Sequence, residues 1–86
     1  MGLSVSDFKK KLEEQHAFPT IYMFKFIVPS DKEPEVLNIL PEGDVSSKSS
    51  KQGKYISVTA QLMMSDSDAV IEIYKEAHKI EGLIAL

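Results

Sequence analysis

An α+β domain is predicted by three features of the sequence. These are a dense aromatic and β-branched run at Thr20 to Val28, polar–apolar alternation on either side of a Lys51-Gln52-Gly53 turn, and a capped amphipathic segment at Ser65 to Lys79. With 86 residues there is room for one hydrophobic core. A hydrophobic content of 43% with 27% charged residues is that of an ordinary globular protein, not of a disordered or fibrous one. The longest apolar runs, such as Ile21-Tyr22-Met23-Phe24, fall far short of the ~20 residues a membrane helix needs, so a soluble chain is expected.

From the N-terminus, Ser4 to His16 reads as a short amphipathic helix, with Ser4 and Asp7 at capping-box spacing and Phe8 and Leu12 on one face. About a dozen residues is marginal for an isolated helix, so it must dock on something. Pro19 biases Phe18 away from helical dihedrals and ends the segment. In Thr20 to Val28, alternation puts Tyr22, Phe24, Phe26 and Val28 on the core face. Ile21, Met23, Lys25 and Ile27 fall on the other, which is too apolar to stand uncovered. Ser30 and Glu33 form a second capping-box pattern, and Pro34 suits a first helical turn. Val36, Leu37, Ile39 and Leu40 supply the stripe of a short helix that Pro41-Glu42-Gly43 closes.

Val45 to Ser50 alternates serine and lysine and suits a sheet edge, where exposed lysine discourages indiscriminate edge pairing. Lys54 to Met63 is a stronger strand, with Ile56, Val58, Ala60 and Leu62 inward, and Gly53 is the residue expected at positive φ between the two. Ser65 to Lys79 carries Ser65 and Asp68 at its start and a buried stripe of Val70, Ile73, Tyr74, Ala77 and Ile80. Gly82 stops it. Leu83 to Leu86 makes the last strand. A βαββαβ order with strands of this length predicts the ferredoxin-like arrangement. Its four-stranded antiparallel sheet carries both crossover helices on one face, and here an extra helix precedes it. The expected division is an N-terminal extension over residues 1–17 and a domain over 18–86. The second sheet face would be covered by the N-terminal helix or by another chain.

Two stretches carry more than periodicity. Phe18, Pro19, Tyr22, Phe24 and Lys25, together with Ser49, Ser50, Lys51, Gly53, Lys54, Tyr55, Ser57 and Val58, resemble the YbeD-like family of small uncharacterised bacterial proteins. The closing helix and strand fit that family as well. The resemblance implies a fold similar to the ACT-type regulatory domains that bind amino acids, and a regulatory or interaction role. It supplies no catalytic residues. A short first crossover helix and the helix ahead of the motif depart from the family's pattern.

The net charge is −3 and there is no arginine, which argues against a general nucleic-acid binder. There is no cysteine, hence no disulfide or thiol chemistry, and no secretory pattern at the N-terminus, so a cytoplasmic location is expected. The histidines, His16 and His78, lack partners for acid–base work, and Asp66-Ser67-Asp68 lacks the rest of a calcium loop. No cofactor or metal motif is present. The charge is uneven: residues 45–65 hold three lysines and no acid, between two segments of net −3 each. Lys48, Ser49, Ser50, Lys51, Gly53, Lys54 and Tyr55 are therefore the candidate site, either an anion-binding hairpin or a solvated turn. The expected function is a non-enzymatic, homodimeric regulatory module that binds a small anionic metabolite or an acidic protein partner. The alternative is a single-stranded nucleic-acid binder using the hairpin and the open sheet face, although that face lacks the paired aromatics of RNA-stacking sheets.

Overall fold

The computed structural model describes residues 5–86. The elements are α1 (Val5–Gln15), β1 (Thr20–Pro29), a 3₁₀ turn (Ser30–Lys32), α2 (Glu33–Ile39), β2 (Asp44–Ser49), β3 (Tyr55–Met64), α3 (Ser67–Ala77) and β4 (Ile84–Ala85). The proposed cap Ser4 lies outside the described residues. The sheet order is β2-β3-β1-β4 with antiparallel neighbours throughout. This is the ferredoxin-like topology expected from the sequence: β3 splits the β1-α2-β2 unit and β1 splits the β3-α3-β4 unit.

The central β1–β3 pair runs in register from Thr20 opposite Met64 to Pro29 opposite Tyr55. The residues predicted inward are so: Phe24, Phe26, Val28, Val58 and Ala60 are fully buried, Ile56 and Leu62 nearly so. Val36 of α2 and Val70, Ile71, Ile73 and Ala77 of α3 close the core from one side. Phe24, Phe26 and Tyr22 pack around the Tyr74 ring with centroids 5.2, 5.9 and 6.4 Å away. Burial of this set outweighs the weak local propensities of the short elements.

The structure differs from the sequence expectation at four places. The cap of α3 is Asp66, whose side chain accepts the Ala69 N–H at 2.8 Å; Ser65 stands outside the helix, and Asp68 faces Lys9. Ser30 does not cap α2, which begins at Glu33 after a 3₁₀ turn, because its hydroxyl bonds elsewhere. The last strand pairs only over Ile84 and Ala85, since Ile80 to Leu83 form the turn that closes α3, with Gly82 at φ 81° against the Pro29 ring. Finally, α1 does not cover the second sheet face. It lies on the helical side against α3: Leu12 joins the core at 3% exposure, Lys9 Nζ meets Asp68 at 3.0 Å, and the buried Ser67 hydroxyl donates to Glu13 at 2.8 Å. Ile21, Met23 and Met63 on the opposite face are left exposed by more than half.

Candidate functional site

The candidate residues sit on the hairpin that joins β2 and β3. Its tip is built by backbone bonds: the Ser50 N–H donates to the Tyr55 carbonyl at 2.8 Å and the Gly53 N–H to the Ser50 carbonyl at 2.9 Å. Gly53 adopts φ 71°, the left-handed value that a side chain would resist, as the sequence led one to expect. The Ser50 hydroxyl accepts the Tyr55 N–H at 3.3 Å, so part of its capacity braces the turn.

Ser30 supplies a second brace from outside the hairpin. Its N–H donates to the Lys54 carbonyl at 2.9 Å and its hydroxyl donates to the Gly53 carbonyl. The tip is thereby tied to the end of β1. No local signal marks this role, because a serine three residues before Glu33 reads as a helix cap.

All seven candidate side chains or backbone positions are exposed. They do not form one pocket. A shallow depression of about 320 Å³ is lined by Ser50, Lys51, Gln52, Lys54 and Tyr55. A second, of about 200 Å³, is lined by Ile27, Lys48, Ser49, Ser50, Tyr55 and Ser57. Tyr55, half exposed, borders both. Gly53 touches neither and shapes the turn. Ile27 and Ser57 join the lining without having been singled out by charge, because cross-strand neighbours become visible only once the register is known, and the uncharged Gln52 joins from the turn.

The electrostatics are simple. Lys9, Lys32, Lys75 and Lys79 each pair with a carboxylate. Among the described residues, no ion pair or hydrogen bond engages the ammonium groups of Lys48, Lys51 or Lys54. The hairpin therefore presents three uncommitted cations and one aromatic ring on a braced turn. Such a surface can receive carboxylates or phosphates as point-charge contacts, with apolar groups laid on Tyr55.

A larger concavity of about 500 Å³ lies between α1, α3 and β4, with Phe8, Ile71, Tyr74 and Leu86 among its walls. Lys75 on its rim already pairs with Glu72 at 3.6 Å. Burial, with the 3.1 Å bond to the Tyr22 hydroxyl, holds the Tyr74 phenol well above the ordinary tyrosine range. His16 packs on Tyr22 at 5.2 Å between ring centroids, while His78 borders the concavity. Among the described residues no three of His, Asp and Glu gather as metal ligands.

Comparison with curated proteins and with solved structures finds no significant match. A protein-family model does match, over residues 13–86, and it covers the whole of the sheet, both crossover helices and the hairpin. The chain therefore belongs to the family described as "Protein of unknown function (DUF493)", in keeping with the YbeD-like resemblance of its hairpin and first strand.

Proposed function

We propose that this domain is a non-enzymatic interaction module that docks an acidic segment of a partner protein on the β2–β3 hairpin. The observation that carries this reading is the set of three unpaired lysines, Lys48, Lys51 and Lys54, around a half-exposed Tyr55 on a turn braced by Ser30. Shallow, open depressions favour a protein surface over a small metabolite, since small-molecule sites enclose most of their ligand. Lysine charge at an exposed rim acts mainly on encounter rate and salt dependence, which suits reversible regulation. Among the described residues no helix is long and apolar enough to cross a membrane. The absence of cysteine fits a reducing cytoplasm, and that location is part of the proposal.

The test is an NMR titration of the full chain with a hexaglutamate peptide, alongside a thermal-shift series with amino acids and nucleotides. The peptide is expected to move the amide signals of residues 48–55 in a saturable, salt-sensitive way. Lys51→Glu with Lys54→Glu should abolish the shifts and leave the melting temperature unchanged. Saturable thermal stabilisation by a small anion would replace the partner with a metabolite, and salt-sensitive retardation of single-stranded RNA would favour the nucleic-acid alternative. If none of the three binds, the hairpin is only a solvated turn.

A further inference from the structure

The β2 edge carries a self-complementary pattern that goes beyond the hairpin reading. The sheet has two edges, and β4 pairs over two residues only, which leaves the six-residue β2 as the extended one. The Ser50 N–H donates to the carbonyl of Tyr55, the next residue opposite it after the Ser49–Ile56 pair, which marks a hydrogen-bonded position and fixes the alternation of the antiparallel ladder from there. Asp44, Ser46 and Lys48 turn their N–H and C=O groups toward β3. Val45, Ser47 and Ser49 turn theirs outward, away from the sheet. The side chains of Asp44, Ser46 and Lys48 stand opposite Gln61, Thr59 and Ser57, on the face away from the helices.

We propose that β2 is a homodimer edge, at which two copies pair antiparallel about a two-fold axis through Ser46 and form one continuous eight-stranded sheet. In that register Val45 of one copy meets Ser47 of the other, and both residues present outward backbone groups. Asp44 of each copy meets Lys48 of the other in the close, non-hydrogen-bonded pairing, so the symmetry makes two identical ion pairs. A slip by one residue sets outward groups against inward ones and breaks the ladder. A slip of four sets Lys48 against Lys48 or Asp44 against Asp44. A slip of two keeps the ladder in phase but sets Lys48 or Asp44 against Ser46 and loses both ion pairs, so the lone lysine with its acid mate four residues earlier favours the register through Ser46. In the dimer Lys48 is committed to the edge, and the hairpin reading then rests on Lys51 and Lys54, which stay outside the paired segment.

The experiment is sedimentation velocity on the full chain across a concentration series, with circular dichroism to confirm folding of each variant. Wild type should dimerise. Lys48→Asp and Asp44→Lys should each weaken the dimer about tenfold or more, because like charges replace both pairs. An equimolar mixture of those two variants should restore a heterodimer. Ser47→Pro, which removes only an outward N–H, should give a folded monomer. Lys51→Glu with Lys54→Glu should leave the dimer intact, so failure of the hairpin reading and failure of this one are separable. A wild type that stays monomeric at every concentration, or a dimer indifferent to Lys48→Asp and Ser47→Pro, overturns the proposal.

Discussion

Tyr74 shows how much one side chain joins in a chain of this size. It contacts Phe8 of α1 at 5.6 Å and Phe24 and Phe26 of β1, and its hydroxyl shares a hydrogen bond with Tyr22. Desolvation disfavours the phenolate, and the bond to Tyr22 adds to the upward shift. An acid whose folded pKa lies above its unfolded value of about 10 binds more protons in the folded state over that interval. The stability it contributes is therefore complete below about pH 10 and is lost progressively as pH rises above it. Ultraviolet titration of the three tyrosines should show one ionising far later than a free phenol, and Tyr74→Phe should remove that step. A titration in which every tyrosine ionises in the ordinary range would contradict the buried, bonded hydroxyl.

At the scale of elements, the hairpin depends on a residue that belongs to neither of its strands. Ser30→Ala removes the hydroxyl bond to the Gly53 carbonyl and keeps the backbone bond to Lys54. The expected cost is about 1 kcal/mol. Amide exchange should quicken at Gly53 and Tyr55 and stay slow in the β1–β3 ladder; unchanged exchange at the tip would show that the brace is idle. This brace was not legible in the sequence, whereas β1, β3 and α3 were. Period-two burial of Phe24, Phe26 and Val28 and the 3.6-residue stripe of α3 are local patterns written by a single core. Ser30 follows a pattern that means a cap when only neighbours along the chain are considered. Ser65 lost the cap of α3 to Asp66 by one position, where the carboxylate reaches the Ala69 N–H. The candidate site was legible as a charge imbalance. Its division into two depressions that share Ser50 and Tyr55 follows from cross-strand register, which composition does not encode.

For the whole molecule, the placement of α1 decides what the N-terminal segment does. Phe8 and Leu12 announced a docking face without naming its partner, because Ser67, Asp68 and Tyr74 lie more than fifty residues away in the chain. Docked on α3, the helix completes the core and leaves the far sheet face open. A chain beginning at Ala17 loses the 3% exposed Leu12, the Phe8–Tyr74 contact and the Lys9–Asp68 pair, and it strands the buried Ser67 hydroxyl without Glu13. A buried leucine alone is worth about 2–5 kcal/mol, and an orphaned hydroxyl adds roughly 1 kcal/mol or more. For a domain whose total stability is on the order of 5–10 kcal/mol, the truncated chain should be folded only marginally. The sheet order puts β2 at the edge opposite β4, where α1 lies, so whatever remains folded should still dimerise through β2. Urea unfolding of the two chains, with sedimentation at matched concentration, separates the effects. Equal midpoints would show that α1 contributes nothing to the core, and loss of the dimer in a folded truncated chain would place α1, not β2, at the interface.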